Sequence, residues 1–129
     1  MKTINWKYWI LLSSSFFNVA IGVAQVAMPA TVMGQLHVTV DVNTLQFFAT
    51  LGFLLVVIGG IQIQSFLFTK PDQPLVIFWS GVEKLGAAGA VTVGALHHVF
   101  GPIMFFVAFM SVLLGLLNLW YWFEIKDNV

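Results

Sequence analysis

The chain contains no cysteine and no arginine, and only 8% of its 129 residues are charged. Without cysteine it can form no disulfide, thiolate metal site or cysteine nucleophile. The five basic residues, all lysines, are balanced by five acidic residues and form no cluster, which excludes nucleic-acid binding. Hydrophobic residues make up 60% of the chain. This composition is typical of an integral membrane protein and lies far from that of a soluble domain.

Four apolar segments are long enough to cross a membrane as helices, which requires about 20 residues for about 30 Å of hydrocarbon. The predicted spans are residues 8–28, 44–68, 74–97 and 102–123, within a single transmembrane domain of residues 1–129. They lack the ten-residue alternation of barrel strands. The connections are short, so sequential helices should pack as antiparallel neighbours. We therefore predict an all-α fold, an integral membrane up-down four-helix bundle.

Local signals place two of the helix ends. Pro29 is expected to end or kink the first helix. Asn43, followed three residues later by Gln46, resembles a capping box and predicts the start of the second helix. A cleaved signal peptide is an alternative for the first segment, but the length of its apolar run favours a membrane span.

The distribution of lysines predicts the orientation of this multi-pass protein. With four crossings, one side of the membrane receives Lys2, Lys7, Lys70 and Lys126, and the connections on the other side carry no lysine. Since lysine is enriched in cytoplasmic segments, both termini are predicted to be cytoplasmic.

The most distinctive feature is the pair Glu83-Lys84 inside the third predicted helix. Lys84 comes ten residues after Pro74, which places it about 15 Å into the span, near the membrane midplane. Charged side chains at this depth are costly, and they usually mark a ligand or proton pathway or face the bundle interior. Neighbouring helical residues point about 100° apart, so each of the two needs another partner.

Small and polar residues surround this pair in the helical pattern. Glu83 shares a face with three small residues that let another helix approach closely, Gly86, Ala90 and Gly94. The first helix carries a polar stripe of Ser14, Asn18, Gly22 and Gln25. Two interpretations stay open. These groups hold the bundle or a subunit interface together, or Asn18 and Gln25 join Glu83 and Lys84 in a polar pocket for a ligand or proton.

The histidines all fall on the predicted outer side together with one carboxylate, giving the set His37, Asp41, His97 and His98. Imidazole and carboxylate groups can ligate zinc or copper. The adjacent His97 and His98 cannot point the same way on a helix, and the spacing matches no recognised metal motif. Interfacial histidines are therefore favoured over a metal or haem site.

Aromatic side chains are abundant, with 13 phenylalanines and 5 tryptophans. They suit a pocket for a flat hydrophobic ligand such as a quinone, sterol or pigment, but they suit lipid-facing surfaces equally well, and the second interpretation is favoured. No nucleophile elbow, phosphate loop, dinucleotide fingerprint or zincin motif is present. Whether the chain is an enzyme stays open.

A pattern of glycines extends over most of the chain. Residues 17–22 run toward Pro29, and they are followed by Leu51-Gly52, by Ile58-Gly59-Gly60 and by Gly81 through Gly94. This pattern resembles that of the DoxX-like group of small four-helix membrane proteins. The resemblance implies an up-down bundle and, for some relatives, membrane thiosulfate or quinone-linked redox chemistry. Gln25 stands where a basic residue is expected in that group, so no catalytic residue is carried over.

Two functions are compatible with these features. The favoured one is a small accessory or structural subunit, or an assembly factor, that docks onto a larger membrane complex through its small-residue helix faces. The alternative is a DoxX-like redox or ligand-binding protein that holds a quinone-like, sterol-like or lipid molecule at its polar midplane. The expected partners are the bilayer and either other membrane subunits or further copies of the chain.

Overall fold

The computed structural model describes residues 5–38 and 40–128, and in these residues the chain folds as an all-helical up-down bundle. Its helices are α1 (Trp6–Ala27), α2 (Pro29–Gln35), α3 (Val42–Leu67), α4 (Gln73–Leu96) and α5 (Ile103–Ile125), and a 3₁₀ turn at Lys70–Asp72 precedes α4. Helices α1, α3, α4 and α5 are long and apolar enough to cross a membrane. The predicted fold class is confirmed, and the chain has the features of a multi-pass membrane protein.

Each long helix begins and ends within two residues of its predicted position. Helix α1 stops at Ala27, and Pro29 begins α2, where its missing N–H costs no hydrogen bond. The seven residues of α2 lie in a segment predicted as a connection, because a helix this short gives no clear helical repeat.

The start of α3 lies two residues earlier than predicted, and its cap is a different residue. Asp41 is the N-cap: its Oδ1 accepts a hydrogen bond from the Thr44 backbone N–H at 2.9 Å, and its Oδ2 accepts one from the Thr44 hydroxyl at 2.7 Å. The predicted capping box of Asn43 and Gln46 is therefore wrong. A carboxylate both satisfies an N-terminal N–H group and complements the positive end of the helix dipole.

The Asp41 cap predicts a pH-dependent start of α3. Hydrogen bonds from the Thr44 backbone N–H and hydroxyl lower the pKa of Asp41 below its ordinary value of 3.8. Because the pKa is lower in the folded than in the unfolded state, the cap stabilises the helix fully above the unfolded pKa, and this stabilisation is lost as the pH falls through the folded pKa. In micelles, we expect the Thr44 amide NMR signal to titrate with a midpoint below 3.8.

The variant Asp41→Asn provides the control for this titration, since asparagine is also a good N-cap but does not ionise. Its Thr44 signal should stay unchanged over the same pH range. A wild-type midpoint at or above 3.8, or an equal titration in Asp41→Asn, would contradict the role of Asp41.

The bundle is built from two closely packed helix pairs, α1 with α3 and α4 with α5. Glycines lie at both contacts. A Cβ atom at Gly52 would come within 2.9 Å of the Gly22 backbone oxygen, and one at Gly81 would come within 3.2 Å of the Gly115 backbone oxygen. Since apolar burial gives helices little drive to associate in lipid, close backbone approach at small residues favours the association within each pair.

The two helix pairs join in an aromatic and aliphatic core at the end of the bundle that holds residues 5 and 128, which we name the terminal end. The buried core consists of Leu11, Leu12, Phe66, Ile77 and Tyr121. Next to this core, the Tyr8 hydroxyl donates a hydrogen bond to the Phe66 carbonyl at 3.2 Å. Lys7 forms an ion pair with Glu124, and its Nζ lies 4.0 Å from the centre of the Trp120 ring. Helices α1 and α5 are thereby linked at this end.

Candidate functional site

Helix α4 carries both charged residues of the candidate site near its middle, on different sides of the helix. Lys84 is only 6% exposed and continues the buried stripe of Ile77, Ser80 and Ala88. Lys7–Glu124 is the one ion pair within residues 5–38 and 40–128, so Lys84 has no carboxylate partner there. The Lys84 side chain therefore belongs to the interior of the bundle, as ionisable side chains at this depth usually do.

Glu83 is half-buried and borders a groove between α3 and α4. The groove has a volume of about 330 Å³ and is lined by Ile58, Ile61, Leu75, Val76, Trp79, Ser80 and Glu83. One carboxyl oxygen, Glu83 Oε2, is buried and has no hydrogen-bond partner in the described part of the chain. A buried polar group without a partner costs about 1–3 kcal/mol in protein mutational data, so the carboxyl group would gain from a donor at this position.

Asn18 and Gln25 lie at the contact between α1 and α3. The Cβ of Asn18 is 3.3 Å from the position that a Cβ at Gly59 would take, and Gln25 Oε1 is 3.1 Å from the corresponding position at Gly52. Asn18 Nδ2 and Gln25 Oε1 have no hydrogen-bond partner among the described residues. Hydrogen bonds therefore do not connect the amides of α1 with the charged pair of α4.

A polar contact between the helix pairs was missed at the sequence level. Gln62 of α3 donates from Nε2 to Asn118 Oδ1 of α5 at 3.0 Å, and both side chains are completely buried. Asn118 Nδ2 donates in turn to the Leu114 carbonyl at 2.8 Å. The available signal was the presence of two isolated amides within long apolar helices, since intramembrane polar side chains commonly bond across helices.

Most of the small residues predicted to share a face with Glu83 point out of the bundle. Gly86 and Ala90 are exposed, and a Cβ at Gly86 would have no atom within 4 Å. Gly89 has the same open surroundings. Gly94 differs, because a Cβ there would lie 2.5 Å from the Phe100 ring. The outward surface of α4 therefore includes a patch of three small residues, which we name the outer α4 face: Gly86, Gly89 and Ala90.

The histidines cap helices. His37 and His98 have φ values of 56° and 57°, the left-handed conformation that commonly follows a helix C-terminus. After α2, His37 N–H donates to the Gly34 carbonyl at 3.2 Å, and after α4, His98 N–H donates to the Ala95 carbonyl at 3.2 Å. His97 is the C-cap of α4, and Asp41 is the N-cap of α3. Over residues 5–38 and 40–128, no group of three or more potential ligands could hold a metal ion.

Comparison with known proteins finds no family model, no curated protein and no solved structure that matches the chain. The resemblance to DoxX-like proteins therefore stays a prediction based on the glycine pattern. The features of the site that are accessible to another molecule are the outer α4 face and the half-buried Glu83 side chain beside it.

Proposed function

We propose that this protein is a small accessory subunit or assembly factor that docks onto a larger membrane protein through the outer α4 face. The observation that carries the proposal is the open space at Gly86 and Gly89 next to the half-buried Glu83 side chain, which borders a groove and has no ion-pair partner among the described residues. Transmembrane helices associate by close packing at small residues and by interhelical hydrogen bonds, and this surface offers both.

The glycines inside the bundle support this interpretation by contrast. An added Cβ would meet atoms of the neighbouring helix at five glycines: Gly22, Gly52, Gly59, Gly81 and Gly115. A glycine within a helix is less stable than alanine by about 0.5–1 kcal/mol, so each of these positions offsets that cost by closer helix packing. Gly86 and Gly89 have no such contact within the chain, and a helix from another protein would supply it.

The expected partner is a different membrane protein and not a second copy. In a two-fold symmetric dimer through the outer α4 face, the same surface of both copies would meet. Glu83 would then lie near its equivalent, and wherever both carboxyl groups are ionised they would repel each other strongly, because the dielectric constant is low. We also propose that both termini face the cytoplasm, on the basis of the lysine distribution.

A leucine at Gly86 is expected to weaken docking without unfolding the bundle. Its side chain would extend into the open space from which the partner helix approaches. We expect at least an approximately tenfold loss of affinity, about 1.4 kcal/mol. The measurement is native mass spectrometry of the protein extracted gently from its own membranes, comparing the fraction recovered in a stoichiometric complex between wild type and Gly86→Leu.

The matched control is Gly60→Leu, because Gly60 is also exposed and open but lies on α3. This variant should retain the complex, and both variants should melt like the wild type by circular dichroism. Equal recovery of the complex from Gly86→Leu and Gly60→Leu would refute docking through the outer α4 face. A complex that contains only copies of this chain would refute the choice of partner.

A further inference from the structure

We infer that the partner contributes a transmembrane helix with a basic residue near its centre, and that this residue pairs with Glu83. This inference rests on the proposed docking function and specifies the chemistry of the partner. It follows from the order of features along one side of α4, from the charge of Glu83, and from the places where this chain keeps its own lysines.

The features beside Glu83 lie on one side of α4, spaced for a single docked helix. Five residues of α4 follow one another at intervals of three or four and therefore lie along one side of the helix: Leu75, Trp79, Glu83, Gly86 and Ala90. Toward the terminal end, Leu75 and Trp79 form walls of the groove. Toward the other end, Gly86 and Ala90 permit close backbone approach. A helix lying along this side would fill the groove with bulky side chains and pass the carboxyl group at mid-height.

The position of Glu83 sets the depth of the expected basic residue. Glu83 lies ten residues after the start of α4 at Gln73, which corresponds to about 15 Å along the helix axis. This distance is about half the thickness of the hydrocarbon layer. The complementary group must therefore come from the middle of a transmembrane helix, where charged side chains pair with one another or with backbone carbonyls.

A basic side chain fits this position better than a neutral donor. Glu83 is half-buried, lines the groove and forms no ion pair with the described residues, so a lysine or arginine that entered the groove would supply its carboxyl group with both a hydrogen bond and an opposite charge. The neighbouring Lys84 does not fill this role, because it is directed to the buried side of α4 and forms no ion pair with the described residues. The part of the Glu83 carboxyl group that borders the groove therefore remains available to a basic side chain of a docked helix.

A second copy of this chain has no such cation to offer. Lys84 is the only lysine near mid-span, and it is buried. Lys7 is engaged with Glu124 at the terminal end, and Lys70 precedes α4 at the same end. Charge complementarity thus selects a helix from another protein.

The inference can be tested with synthetic transmembrane peptides in vesicles of dioleoylphosphatidylcholine. The probe is a labelled leucine-alanine helix with a single central lysine, and the matched peptide has leucine at that position. Binding to the labelled full-length protein is followed by resonance energy transfer. We expect the lysine peptide to bind about tenfold more tightly than the leucine peptide, since hydrogen bonds between transmembrane helices contribute about 1–2 kcal/mol in peptide systems.

Variants of the protein separate this inference from docking itself. Glu83→Leu should abolish the preference for the lysine peptide, whereas Glu83→Gln, which keeps an acceptor oxygen but loses the charge, should retain only part of it. Gly86→Leu should weaken the binding of both peptides. A third peptide with a central glutamate should bind no better than the leucine peptide.

Two results would overturn the inference. The first is equal affinity for the lysine and leucine peptides, or no binding of either. The second is a preference for lysine that persists in Glu83→Leu. If equal affinities were accompanied by weaker binding to Gly86→Leu, docking through the outer α4 face would stand and only the basic partner would be refuted. If Gly86→Leu had no effect while the lysine preference depended on Glu83, the charge pairing would stand and the close-packed docking face would be refuted.

Discussion

Replacing Gly22 with alanine should lower the free energy of unfolding by about 1–3 kcal/mol, the usual cost of overpacking. The added methyl group would meet the Gly52 backbone oxygen, and it would lie 2.9 Å from the Val56 backbone nitrogen. Backbone atoms of a neighbouring helix cannot rotate away as a flexible side chain can. Helices α1 and α3 would have to separate, which loses contacts along the whole pair. Reversible unfolding in mixed micelles, followed by circular dichroism, measures the effect.

The control for this substitution is Gly60→Ala on α3. Gly60 has no atom within 4 Å of an added Cβ, so this variant removes a helix glycine without a clash. We expect its stability to equal or slightly exceed that of the wild type, since alanine favours the helical backbone. If Gly22→Ala proved as stable as Gly60→Ala, the close contact between α1 and α3 would be wrong.

The positions of the long helices were predictable because a single physical requirement dominates them. A membrane-spanning segment must be long, apolar and internally hydrogen-bonded, and each of these properties can be read along the chain. The helix caps were less predictable. Two pairs of polar residues, each three positions apart, could have capped α3: Asp41 with Thr44, and Asn43 with Gln46. The carboxylate of Asp41 forms the cap. The choice depends on the local backbone geometry as well as on residue type.

The candidate site was predictable residue by residue, but not as an arrangement. Helical spacing correctly places Lys84 on a different side of α4 from Glu83, but it gives no information on how α1 is rotated relative to α4. Asn18 and Gln25 therefore looked like partners for the charged pair, whereas the structure places them against Gly59 and Gly52 of α3. The rotation of each helix depends on contacts between residues far apart in sequence.

The small residues of α4 could also be placed on a face from their spacing, but their contacts could not be predicted. Gly86, Ala90 and Gly94 share a face by spacing, yet the chain after α4 turns back and places the Phe100 ring against Gly94. Gly81, one turn or more before this series, makes the close contact with α5 instead. The sequence thus identified α4 as a helix suited to close packing, but the structure was needed to separate the glycines used inside the bundle from those left open.

The hydrogen bond between Gln62 and Asn118 is expected to determine how firmly the two helix pairs associate. Asn118→Leu would remove the acceptor of Gln62 Nε2 and leave the buried Gln62 amide without a partner, because Gln62 Oε1 already has none in the described part of the chain. An unpaired buried polar group typically costs about 1–3 kcal/mol. We expect a loss of unfolding free energy in this range, measured in the same mixed micelles as Gly22→Ala.

The reciprocal variant, Gln62→Leu, should cost less than Asn118→Leu. It removes one donor to Asn118 Oδ1, but Asn118 Nδ2 keeps its hydrogen bond to the Leu114 carbonyl. In the double variant no unpaired Gln62 amide remains. Its loss of unfolding free energy should therefore be smaller than the sum of the two single losses by about 0.5–2 kcal/mol. Strictly additive losses would show that the two amides are not energetically coupled. The helix pairs would then be held together by the apolar core around Phe66 and by the Lys7–Glu124 ion pair alone, and not also by a polar contact deep within the bundle.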